Sequence, residues 1–110
     1  MVLVVALVLG MLPAFAGGAL AQGGLSNNGH DLALRLCAPC HAIGSAERSP
    51  LATAPAFRHI EPRVDLNEMT QRLQEGIVAG HPEMPVFKLT EFEARALVAY
   101  LRSIQSDKRN

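Results

Sequence analysis

Two thiols and an imidazole stand together in Cys37-Ala38-Pro39-Cys40-His41. Thiols three residues apart at a helix end can reach the two vinyl groups of one porphyrin and form thioether bonds. The next residue then places a nitrogen donor under the iron. Sulfur is required for the covalent links and a neutral imidazole for the metal, and C-x-x-C-H is the string by which c-type haem is attached. Three other chemistries use the same residue types. A structural disulfide needs nothing more, a thiol–disulfide redox pair wants a βαβ setting, and a zinc site wants a second ligand pair at close spacing. No βαβ pattern is present, His59 and His81 are too scattered to complete a zinc site, and the chain has no further cysteine. The motif therefore predicts one haem c held through Cys37 and Cys40, with His41 on the iron.

A sixth ligand has several candidates. Beyond residue 21 the methionines are Met69 and Met84. Met69 falls at helical spacing with Leu66 and Leu73, where a thioether serves as core filling. Met84 lies between Pro82 and Pro85 in a non-helical stretch, a setting that core packing does not favour. His81 and His59 compete, since a second imidazole would also serve, whereas His30 falls in a first helical turn and faces solvent. Arg58, His59 and Arg63 are candidates for neutralising haem propionates, because a partly buried carboxylate needs a partner. Each is equally readable as an ordinary exposed charge.

Three helical segments must position these groups. The first spans about 28–38, with Asn27 or Asn28 as cap and Leu32 and Leu36 one turn apart; Pro39 turns the chain. Residues 43–65 hold Pro50, Pro55 and Pro62 with Gly44, a composition of loop and not strand. The second helix opens at Asp65 with Glu68 three residues on, as in a capping box. Leu66, Met69, Leu73 and Ile77 share its apolar face, and Gly80 and Pro82 end it. The third opens with a second capping box, Thr90 and Glu93, and places Phe92, Leu97, Tyr100, Leu101 and Ile104 on one stripe before a charged tail at 107–110. No period-2 run occurs, so the expected fold is all-α with long loops. A structureless loop of about twenty residues is unusual in so small a domain, unless it wraps a large prosthetic group.

The 110 residues divide at about position 21. Residues 1–12 are an uncharged apolar run, followed by Pro13, a small-residue tract and Ala19-Leu20-Ala21, the pattern of a signal-peptidase site. Residues 1–21 are expected to be a signal peptide, although no Lys or Arg precedes the apolar core. The alternative is an uncleaved anchor, but the strongly apolar part is about a dozen residues, short of the roughly 20 that a spanning helix needs. Residues 22–110 then form one domain, whose core is too thin to dispense with a cofactor. Gln22-Gly23-Gly24 reads as a short linker. Ten basic and ten acidic residues balance, which argues against nucleic acid as a partner.

Residues 22–110 resemble a class I cytochrome c over nearly their whole length. The resemblance rests on Cys37-x-x-Cys40-His41, Gly29, Ala54-Pro55-Ala56-Phe57, 80–87 around Met84-Pro85, and Leu97-Val98-Ala99-Tyr100-Leu101. It implies the cytochrome c fold, three main helices with long loops wrapped around one covalently attached haem. It also implies Met84 as the second axial ligand and the Pro55 carbonyl as acceptor for the far N–H of His41. A soft thioether raises the potential and fills the sixth position, so the implied function is electron transfer and not substrate chemistry. The expected protein is not an enzyme. It is a periplasmic carrier cycling between Fe(III) and Fe(II), with a dehydrogenase, reductase or oxidase as redox partner and membrane contact only if residues 1–21 are retained. The same analogy places the exposed haem edge near Cys40, Ala42, Ile43 and the Met84 loop. One departure is Ala33, where the family usually carries an aromatic, which would loosen the terminal helix contact. The rival readings are a haem-relay subunit bound to a dehydrogenase or oxidase, a ligand-binding or peroxidatic haem protein, and a thiol–disulfide enzyme.

Overall fold

The computed structural model describes residues 18–76 and 83–106, with side chains from Gly23 onward. Among them are three α-helices, α1 (Gly18–Leu36), α2 (Leu66–Glu75) and α3 (Glu91–Ile104), a 3-10 turn at Phe57–His59 between the first two, and no strand. The fold is all-α. The apolar run at 1–17, the ligand candidate His81 with Ile77, Gly80 and Pro82, and the tail at 107–110 lie outside the described residues.

α1 and α3 form the principal helix pair. Gly29 is buried where they meet, and a Cβ on it would lie 1.9 Å from the Ala96 carbonyl oxygen and 2.8 Å from Tyr100 Cβ. Only glycine lets the two backbones approach this closely. Ala33, one turn on, is 0% exposed. The small residue expected to loosen the contact therefore occupies a closed position in it. Leu32, Leu97, Val98 and Leu101 complete the buried seam.

α1 begins about ten residues before the expected cap at Asn27 or Asn28, which lie inside the helix. It runs through the Gln22-Gly23-Gly24 stretch read as linker. Gly23 and Gly24 have open space around them, so this end is an exposed extension. Adding turns to a helix already nucleated by packing costs little. From Gly23 onward, the first buried residue of α1 is Gly29.

α2 starts where expected, but its cap differs. The Asp65 carboxylate accepts from the Asn67 N–H at 2.8 Å, and not from Glu68. It buries Leu66, Met69 and Leu73 and stops at Gly76, earlier than the expected Gly80. Gly76 has φ +96°, a left-handed conformation that L-residues avoid. The α3 cap is the full reciprocal box: Thr90 Oγ1 accepts from the Glu93 N–H, and the Glu93 carboxylate accepts from the Thr90 N–H. Phe92, expected on the apolar stripe, is 59% exposed instead, because it sits in the first turn, before α3 reaches α1 squarely.

The long loop is tied down throughout. The Leu51 N–H donates to the Cys40 carbonyl, the Phe57 N–H to the Ala42 carbonyl, and the Ala42 N–H to Ser49 Oγ. Tyr100 donates its hydroxyl to the Ile43 carbonyl, and Arg102 reaches Asn67 Oδ1 at 2.8 Å to join α3 to α2.

Candidate functional site

The Cys37–His41 segment continues directly from α1 as a turn. The Cys37 N–H bonds the Ala33 carbonyl at 2.8 Å, and the Cys40 and His41 N–H groups both return to the Cys37 carbonyl. Pro39 lacks an N–H and sits at the exposed crest, where none is needed. This fold-back places both thiols and the imidazole on the wall of a cavity of about 670 Å3. That is within the range of cavities that enclose small organic ligands.

Side chains from every element line the cavity. α1 gives Leu32 and Leu36, the loop Leu51, Phe57 and Ile60, α2 Met69 and Leu73, the 83–89 segment Met84, Phe87 and Leu89, and α3 Leu97 and Leu101. The surface they make is overwhelmingly apolar. Among the described residues no cluster of three His, Cys, Asp or Glu could cage a metal ion with side chains alone.

His41 is oriented by its far nitrogen. Nδ1 lies 2.8 Å from the Pro55 carbonyl oxygen. A carbonyl can only accept, so Nδ1 carries the proton and Nε2 keeps its lone pair free. The Phe57 ring packs against the imidazole with centroids 5.0 Å apart. In the folded protein the nitrogen available to a metal is thus held in one tautomer and one orientation.

Cys37 and Cys40 are free, half-buried thiols. Burial pushes the Cys37 thiol up to about 11. A thiol–disulfide catalyst needs the opposite, a thiolate stabilised near neutrality.

Of the residues singled out from the sequence, the structure brings Cys37, Cys40, His41, Pro55 and Met84 to one cavity. Arg58 is not among its lining residues; its guanidinium donates to the Glu47 carbonyl at 2.8 Å. His59 is exposed and also absent from the lining, while Arg63 is part of it. Two lining residues were not foreseen there. Arg72 stands one turn after Met69 on α2, and that i, i+3 spacing was the available signal. Met69 itself lines the cavity as well as the core. The expected surface edge also needs correction: Ala42 and Ile43 are buried, held inward by their bonds to Ser49 and Tyr100. The exposed residues beside the cavity are Pro39, Thr53, Arg63, Arg72, Glu83 and Pro85.

The sequence profile of the cytochrome c family matches residues 26–105. The chain belongs to the cytochrome c family. It is 31% identical over 101 residues to cytochrome c-552 of Bradyrhizobium diazoefficiens, covering 92% of each chain. No solved structure matches it significantly. This cytochrome c accordingly carries covalently attached haem c and is an electron carrier. The donor set fits that group: two thiols on one turn, an imidazole with Nε2 free, two thioether sulfurs and an apolar enclosure.

Proposed function

We propose that this cytochrome c is an exported, periplasmic one-electron shuttle, with haem bound through Cys37 and Cys40 and ligated by His41 and Met84. The observation that carries the reading is the Pro55–His41 bond on the wall of a cavity that also holds both thiols and a loop methionine. When bound, the haem supplies an iron that takes up and gives back one electron. The polypeptide holds the ligands still, so that little rearranges between the two charge states, and its apolar wall keeps water away. No acid, base or nucleophile is required, which is why we read the protein as not an enzyme.

Met84 fits the ligand role better than Met69. It stands half-buried in an irregular segment next to Pro85, which limits its backbone, and no helical packing claims its sulfur. Gly76 turns the chain beneath this segment, and the Leu89 N–H fixes its far end to the Leu73 carbonyl at 3.0 Å. Arg63 and Arg72, the two cationic groups on the wall, are the nominated partners of the propionates. The 1–21 segment is read as a removed export signal. Cutting after Ala21 would shorten α1 while keeping Ser26, which bonds Ser103 of α3, and the buried Gly29. Among the described residues no helix is long and apolar enough to cross a membrane.

The test is a pair of variants in the holoprotein. Met84→Ala should abolish the weak ferric absorbance of an iron–thioether bond and lower the midpoint potential, whereas Met69→Leu should leave both in place. An unchanged spectrum and potential in Met84→Ala would remove Met84 from the ligand set, and the reverse pattern would assign the role to Met69.

A further inference from the structure

Gln105 is the only buried polar side chain among the described residues, at 5% exposure. It caps the C-terminal end of α3 and turns inward. Its Nε2 donates to the Phe57 carbonyl at 2.7 Å and to the Leu101 carbonyl at 2.8 Å, while its Oε1 accepts from the Glu61 N–H at 3.0 Å. Two acceptors and one donor surround it, so the amide has only one orientation that satisfies all three. Neither an aliphatic side chain nor a carboxylate can replace it.

These bonds end on the segment that holds the imidazole. Pro55 accepts from His41 Nδ1, the Phe57 ring packs on His41, and the Phe57 N–H is fixed to Ala42. Gln105 grips the same segment from its other side, at the Phe57 carbonyl and the Glu61 N–H. Without it the Phe57 carbonyl is left with a 3.3 Å bond from the Ile60 N–H, and the 55–61 turn is free to draw away from the imidazole.

We propose that Gln105 is a positioning residue for the proximal imidazole: its buried carboxamide clamps the 57–61 turn and thereby keeps the Pro55 carbonyl on His41 Nδ1. The inference rests on the reading of His41 as the iron ligand. A hydrogen bond to the far nitrogen raises the basicity of the coordinating one and favours the ferric state. Loosening that bond therefore raises the potential. General loosening that admits water works the other way, since water stabilises the more highly charged oxidised site. The sign of the shift separates the two.

The experiment uses holoprotein carrying Gln105→Leu, with the neutral, similarly long Gln105→Met as the second variant should the first not fold. Thr90→Ala serves as a control that weakens α3 far from the 55–61 turn. Midpoint potential and solvent exchange of the His41 Nδ1–H are read by spectroelectrochemistry and NMR. Both Gln105 variants should move to higher potential and speed the ring N–H exchange roughly tenfold, one hydrogen bond's worth. Thr90→Ala should lower the melting temperature and leave both readings alone. A fall in potential, an unchanged ring N–H, or an equal shift in Thr90→Ala would overturn the proposal. A wild-type His41 N–H without the paramagnetic shift of an iron ligand in the ferric protein would instead overturn the reading on which it rests.

Discussion

Tyr100 directs its hydroxyl proton at the Ile43 carbonyl, two residues past the haem-binding motif, and sets its ring edge-on against His30 at 5.2 Å. Burial first, and then the negative charge of Glu47, raises its pKa above the ordinary 10.0. A folded-state value above the unfolded one means stability that is intact below about pH 10 and is lost as pH climbs through the folded value. Tyr100→Phe should cost about 1 kcal/mol at pH 7 and show a shallower alkaline decline in chemical denaturation than the parent. Equal declines would place the alkaline sensitivity elsewhere. At this scale the Cys37–His41 motif was legible because two thiols and an imidazole at that spacing are distinctive, Met84 stood out by its proline-flanked setting, and Pro55, whose acceptor is a plain backbone carbonyl, was reached only through the family resemblance. Arg72 and Gln105 were not legible. One is a charge on a helix that could face anywhere, and the other is a polar residue at a helix end, where sequence patterns expect solvent.

The elements were legible to the extent that their ends are set locally. Thr90 and Glu93 satisfy each other's N–H groups within one turn, so their spacing alone located the start of α3. Phe92 was misread because amphipathic spacing cannot say where along a helix its partner begins. The early stop of α2 at Gly76 and the early start of α1 are matters of tertiary support, which spacing does not report. The α1–α3 crossing yields a sharp expectation. Gly29→Ala drives a methyl group into the Ala96 backbone, which no rotamer change relieves, and should cost about 3 kcal/mol. Thr90→Ala, losing only a cap, should cost about 1 kcal/mol. Thermal unfolding of the two holoproteins would rank them, and a Gly29→Ala protein as stable as the parent would show that the helices can slide apart.

For the whole molecule the governing feature is that every helix turns apolar side chains toward the haem site. With no haem in place that surface would face water, and a domain this small has little other core to offset the loss. Without its haem the chain should not stay folded. Cys37→Ser combined with Cys40→Ser, purified free of haem, should give collapsed amide dispersion in NMR; well-dispersed signals would show that the helices close on themselves. The sequence carried this too, since a loop of about twenty residues in so small a domain makes sense only around something.

The Gly29–Ala96 crossing joins segments near opposite ends of the chain. A growing polypeptide therefore presents Cys37 and Cys40 long before the last helix that shuts them in has been made. Because the chain does not close without its haem, both sulfurs stay open to modification until the haem is in place, and only then can α3 pack across Gly29 and hold the site shut.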